Sequence, residues 1–188
     1  MRDIVRPAIA LFAITAAFTL ILAVTNMLTE DVIADAREQS RLAAMSYVLP
    51  DADVFSEDTI TDNTMGVLSY AIGFDGNAEP VGVVVQMAVT GWAHMTFIVG
   101  IDLDGAVTGL DIISHAETPG LGARITREEY RYQFINQTGN INVITRGTPA
   151  ENDVVAMASA TVTMRVVADG VNEALEFVNE YVLPNIRQ

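Results

Sequence analysis

Ser114-His115-Ala116-Glu117-Thr118-Pro119-Gly120-Leu121-Gly122-Ala123-Arg124 joins an apolar, strand-like run, Val107 to Ile113, to a helix-like run that begins near Thr126. One proline and two glycines lie between them. Proline fixes its own φ, and glycine reaches backbone conformations closed to other residues, so the segment is built for shape. The missing side chains at Gly120 and Gly122 would let a flat ligand approach the backbone, with Glu117 and Thr118 as polar groups and Leu121 as an apolar face. The plainer reading is a strand-to-helix turn with no ligand, since glycine and proline are first of all turn punctuation.

Upstream of this turn the chain reads as strands. Met65 to Phe74 is followed by the turn signal Asp75-Gly76-Asn77, then come Val81 to Val89 and Met95 to Leu103. Asp104-Gly105 leads into Ala106 to Ile113. Apolar runs separated by short glycine turns predict an antiparallel sheet. Before it, Glu30 to Tyr47 reads as a helix ended by Pro50, and Asp51 to Thr64, acidic and without a period, as a surface connection. Downstream, Arg127 to Phe134 reads as a helix and Ile141 to Thr145 as a further strand. Val166, Val167, Val171, Ala174, Leu175, Val178 and Val182 mark a final helix that Pro184 stops. The fold class is α+β.

Composition bounds the function. The 188 residues are 51% hydrophobic, and 24 acidic side chains face 10 basic ones, every one an arginine, for a net charge of -14. Such a charge disfavours nucleic acid and anionic lipid as partners. Without cysteine the chain itself ligates no iron–sulfur cluster, forms no disulfide and offers no thiol nucleophile. His94 and His115 with scattered carboxylates do not make a zinc site; His115 is expected to orient the loop and His94 to be structural. Trp92 reads as a packing residue. No catalytic residue is expected.

The mean hydropathy of +0.33 calls for a membrane segment, and Pro7 to Thr29 is free of charge. At about 1.5 Å per residue that run spans a hydrocarbon core of about 30 Å. Arg2 and Arg6 precede it, and Glu30, Asp31 and Asp35 follow it. The positive-inside bias then places the N-terminus in the cytoplasm and the remaining chain outside, held in membrane lipid by an uncleaved anchor. The alternative is a cleaved signal peptide, whose apolar core is usually shorter and ends at a small-x-small site that Asn26-Met27-Leu28 does not offer.

Ser159-Ala160-Thr161-Val162-Thr163 stands at the start of the final helix. Serine and threonine there read as caps for free N–H groups, and the same N–H groups and the helix dipole favour a phosphate. Arg124, Arg127 and Arg165 are candidate counter-charges, Arg127 being better read as a solvated surface residue.

The stretch His115-Ala116-Glu117-Thr118-Pro119-Gly120-Leu121-Gly122 resembles the H-x-ETPGLG motif of the RnfG family, the flavin-binding subunits of Rnf electron-transport complexes. It also resembles the related NqrC family of the sodium-translocating NADH:quinone reductases. The resemblance implies an FMN carried by Thr161 through a phosphoester made by a separate flavin transferase. Thr163, which matches a neighbouring threonine of the family, is the second choice. It further implies cofactor-binding roles for Glu117, Thr118, Gly120, Leu121, Gly122, Ser159, Ala160 and Thr163. This chain departs from the family pattern at Ala158, where serine or threonine is usual, at Ser159, where glycine is usual, and at Val155, often an aspartate. The expected organisation is a cytoplasmic N-terminus and anchor (1–29), a juxtamembrane helix and connection (30–64) and an FMN-binding domain (65–188). The expected role is one-electron relay among other subunits of a membrane complex that moves ions. The rivals are an FMN domain serving another extracytoplasmic reductase and a flavin-free structural or sensory domain.

Overall fold

The apolar, charge-free run starting at Pro7 satisfies its backbone most simply as a helix, and it continues without a break into the charged segment after Thr29. Together they form α1 (Arg2–Val48) in the computed structural model, which describes residues 2–59 and 66–186. The stretch 60–64 of the expected connection, and Met65 at the expected start of a strand, lie outside the described residues. The chain divides into two compact units between Arg41 and Leu42.

In the first unit the hydroxyls of Thr15, Thr25 and Thr29 donate to the carbonyls of Leu11, Ile21 and Thr25 at 3.0, 2.9 and 2.9 Å. These hydroxyls are thus satisfied within the apolar helix, as hydrocarbon surroundings would require. Among the described residues this helix is the only one long and apolar enough to cross a membrane, with a mean hydropathy of 2.4 in its most apolar stretch.

The second unit is a five-stranded antiparallel meander, β1 (Val54–Thr59), β2 (Val67–Phe74), β3 (Pro80–Thr90), β4 (His94–Asp102) and β5 (Val107–His115), paired in chain order. At the β2–β3 hairpin the Asp75 carboxylate accepts the N–H groups of Glu79 and Asn77 at 2.9 and 2.8 Å, which hold its pKa below the usual carboxylate value.

The strands read as continuous apolar runs because both faces of the sheet are covered. Val83, Val85, Met87, Phe97, Val99 and Ile101 face a core shared with α3 (Thr161–Phe177). The alternate residues Val84 and Ile98 face a second cluster with Ala44, Met45, Val48 and Leu49 from the end of α1 and the residue after it. Two apolar faces remove the polar alternation that a half-solvated sheet would show.

Three expectations are corrected. Residues 51–59 are not a featureless connection: Val54–Thr59 form β1, with Val54 opposite Phe74 and Thr59 opposite Ser69. An edge strand needs only one neighbour, and the polar composition that hides this strand from its sequence is typical of sheet edges. The helix expected at 127–134 is broken into α2 (Glu128–Arg131) and a 3-10 turn (Tyr132–Phe134), and another 3-10 turn (Gly122–Thr126) precedes it. Pro184 does not stop the final helix, because a π turn (Val178–Val182) leads from α3 into α4 (Leu183–Ile186). Proline collides with the carbonyl four residues back in a regular α-helix, and the wider turn moves that carbonyl aside. A small parallel pair, β6 (Asn142–Ile144) and β7 (Asp153–Val155), completes the fold; β6 lies within the strand expected at 141–145.

Candidate functional site

Two turns build the site, and each has the same backbone requirement. In the first, Leu121 N–H donates to the Thr118 carbonyl at 3.1 Å across Pro119 and Gly120, with Gly120 at φ +79°. Proline second and a left-handed residue third are the signature of a type II turn, which explains the order Thr-Pro-Gly-Leu. In the second, Ala160 N–H donates to the Met157 carbonyl at 3.0 Å, with Ser159 third in the turn at φ +66°. The usual glycine of the resembled family stands at this position. A side chain in the left-handed region costs about 1–2 kcal/mol. Ser159→Gly is therefore expected to stabilise the domain by about 0.5–1 kcal/mol after the extra entropy of glycine in the unfolded chain, read as a higher denaturation midpoint. A lower midpoint would mean that the Ser159 hydroxyl contributes more than its backbone strain costs.

The turns face each other across a cavity of about 500 Å³, within the range of small-molecule and cofactor sites. Glu117, Thr118, Leu121 and Gly122 line one side; Ser159, Ala160, Thr161, Val162 and Thr163 line the other. Eight of the nine residues singled out in the sequence thus share one cavity. Gly120 is not among its lining residues, and its positive φ instead shapes the loop.

The expected capping role is absent. Ala160 is the N-cap of α3 and no side chain caps the helix, so Ser159 and Thr161 are not engaged in it. The N–H groups of the first helical turn have no acceptor within the helix. Thr161, half-buried, opens from that turn into the cavity, whereas Thr163 is 3% exposed and its hydroxyl donates to Glu117 Oε2 at 3.3 Å.

The cradle is tight at one point. A Cβ on Gly122 would stand 2.0 Å from Glu117 Oε2 and 2.8 Å from Thr163 Oγ1, while one on Gly120 would meet nothing within 4 Å. The loop therefore closes on α3 at Gly122, whereas Gly120 stands clear of other atoms and outside the cavity lining.

Trp92 is the residue that sequence reasoning misplaced. It is 82% exposed and lines the cavity, so it is no packing residue. Its signal was position: Gly91-Trp92 falls in the turn between two apolar strands, where a large ring has no core to enter. His94 is hydrogen-bonded through Nδ1 to Thr90 at 3.0 Å, and His115 pairs with Met95 at the end of β5. The Arg124 guanidinium lies over the Tyr130 ring, bonds its hydroxyl and reaches the Ala158 carbonyl at 3.5 Å. Arg127 pairs with Glu129 at 3.7 Å, and Arg165 is exposed.

Comparison with known proteins gives a consistent picture. Residues 91–176 match the model of the FMN-binding domain, and residues 1–48 that of the RnfG N-terminal region. The G component of the Na(+)-translocating ferredoxin:NAD(+) oxidoreductase complex of Acetobacterium woodii is 31% identical over 88% of this chain and 87% of its own length. The G component of the ion-translocating oxidoreductase complex of Methanosarcina acetivorans is 28% identical over 95% of this chain and 96% of its own. In fold the chain resembles the crystal structure of Shewanella oneidensis NqrC, with a TM-score of 0.51 at 18% identity over 73% of this chain and 72% of that one.

Proposed function

The chain belongs to the RnfG family of ion-translocating oxidoreductase complexes, and from that premise we propose that it carries FMN on Thr161 and relays electrons within such a complex. Its place as an electron-transport flavoprotein subunit of a membrane complex follows from the family and its FMN-binding domain. The covalent link, its position, the flavin transferase that makes it and the outward orientation of the domain are the finer parts of the proposal. So are the boundaries 1–29, 30–64 and 65–188.

The observation that carries the choice of residue is the contrast between two threonines. Thr161 faces the cavity from the first turn of α3, where free N–H groups and the helix dipole stabilise a phosphodiester anion. Thr163 is buried and its hydroxyl is already engaged by Glu117. With the phosphate at Thr161, the Glu117–Gly122 loop offers backbone groups and Leu121 to the ring from one side, and Trp92 stands at the cavity wall. The flavin supplies the electron chemistry; these residues supply position, an apolar surface and charge.

The test is the full chain co-expressed with a flavin transferase, denatured, and viewed in a gel under ultraviolet light. The parent and Thr163→Val bands are expected to fluoresce and the Thr161→Ala band to be dark, with all three chains in the membrane fraction. A fluorescent Thr161→Ala band would overturn the assignment. A yellow native parent with a dark denatured band would mean that FMN is held without the bond, and a colourless parent would favour the flavin-free rival.

A further inference from the structure

We infer that Glu117 sets how strongly this site holds electrons: its carboxylate, held at the cavity wall, lowers the reduction potential of the flavin bound there. The inference rests on the flavin reading above. Among the described residues that line the cavity, Glu117 is the only one with an ionisable side chain.

Its position is fixed from several directions. Ala116 N–H, next to it, donates to the His94 carbonyl at 3.1 Å, so the chain is tied to β4 just before the loop begins. Thr163 Oγ1 donates to Oε2 at 3.3 Å from the buried side of α3. The carboxylate occupies the space in front of Gly122, where a Cβ would stand 2.0 Å from Oε2. Glu117 is half-buried, so its carboxylate is held at the wall while still partly open to solvent.

Its charge is not neutralised locally. The nearest arginine in sequence, Arg124, is turned to Tyr130 and the Ala158 carbonyl, and Arg127 pairs with Glu129. Among the described residues no ion pair includes Glu117, and its one hydrogen bond comes from a neutral hydroxyl.

Full reduction by an external donor places two electrons and one proton on the flavin ring and leaves one net negative charge there. No bond to Glu117 forms or breaks. A fixed carboxylate beside the ring raises the energy of that state relative to the neutral oxidised ring. The positive end of α3 works in the opposite sense but is directed at the phosphate. In a half-open site, where solvent screens much of the field, one unit charge at near-contact range is worth about tenfold in an equilibrium.

The experiment is an equilibrium reductive titration of the flavin-loaded full chain with dithionite and a reference dye, at fixed pH. Glu117→Gln keeps an oxygen to accept the Thr163 hydroxyl and removes the charge. It is expected to raise the reduced-to-oxidised ratio at a given potential about tenfold, an upward shift of about 30 mV for a two-electron couple. The shift is expected to shrink as salt rises. A loaded Glu117→Gln chain whose ratio stays within about twofold of the parent would overturn the inference, since a positioning role alone is kept by glutamine. Should Glu117→Gln fail to load, Thr163→Val removes the donor that partly offsets the carboxylate. The potential is then expected to fall, and an unchanged or higher value would overturn the inference. A parent chain that takes up no flavin would remove the flavin reading itself, and that result appears before any potential is measured.

Discussion

Gly100→Ala is expected to destabilise the domain by about 3 kcal/mol, the sum of an overpacked core and a lost hydrogen bond. Gly100 on β4 pairs with Gly109 on β5, and the two glycines together form a gap in the sheet surface. The last turn of α1 fills it. A Cβ on Gly100 would stand 2.2 Å from the Val48 carbonyl oxygen, 2.5 Å from Thr108 Oγ1 and 2.8 Å from the Val48 carbonyl carbon; on Gly109 it would stand 2.8 Å from Val48 Cα. Most of these are backbone atoms, so no change of rotamer relieves the clash. The end of α1 must lift, which breaks the hydrogen bond from Thr108 Oγ1 to the Val48 carbonyl at 2.5 Å and uncovers Met45, Val48 and Leu49, all at most 1% exposed. Against a total stability of about 5–15 kcal/mol this is a large fraction. The measurement is denaturant unfolding of the detergent-solubilised chain, followed by the fluorescence of its single tryptophan. A loss below about 0.5 kcal/mol would mean that the helix end is not seated in this gap.

What the sequence made legible, and what it hid, follows from how many neighbours each element has. The strands β2 to β5 were readable within a residue or two because each is apolar on both faces and bounded by a turn residue such as Asp75-Gly76 or Asp104-Gly105. The cradle was readable because its backbone demands appear directly as residue types, Pro119 and Gly120 in one turn. Ser159 meets the same demand with a residue that does not announce it; only its φ of +66° explains why glycine would suit the position. The edge strand β1 was hidden because half of its surroundings is solvent and its composition follows. The choice between Thr161 and Thr163 was out of reach for spacing, since both lie in one helical turn. Burial of the second and its bond to Glu117, a residue 46 positions away, are what favour the first in the proposed assignment. Trp92 failed for the converse reason, because a single aromatic carries no information about its exposure.

Gly122→Ala is expected to separate the site from the fold. The conformational cost is small, because Gly122 does not lie in the left-handed region reserved for glycine. The steric cost falls on two side chains: the new methyl would stand 2.0 Å from Glu117 Oε2, 2.7 Å from its Cδ and 2.8 Å from Thr163 Oγ1. Glu117 lines the cavity and its carboxylate is held there by the Thr163 hydroxyl, so much of the overlap is relieved without moving the backbone once that hydrogen bond gives way. Thr163 is buried in the first turn of α3 and has less freedom. The outcome is a modest loss of stability, about 1 kcal/mol, in the lower part of the range for overpacking. The site loses more: the Thr163–Glu117 hydrogen bond is broken, the loop is pushed off α3, and the carboxylate is turned from its place at the wall. Covalent flavin, read as fluorescence per denatured chain, is expected to fall at least tenfold, because a displacement of about 1 Å is enough to cost that much in a reaction that depends on positioning. Gly120→Ala is the comparison, since a Cβ there meets nothing within 4 Å and the cost is confined to its φ of +79°. It should lower stability by about 1 kcal/mol and leave more of the flavin in place. Equal loading of Gly122→Ala and the parent would show that closure of the loop onto α3 at Glu117 and Thr163 is not what prepares Thr161 for the proposed flavin link.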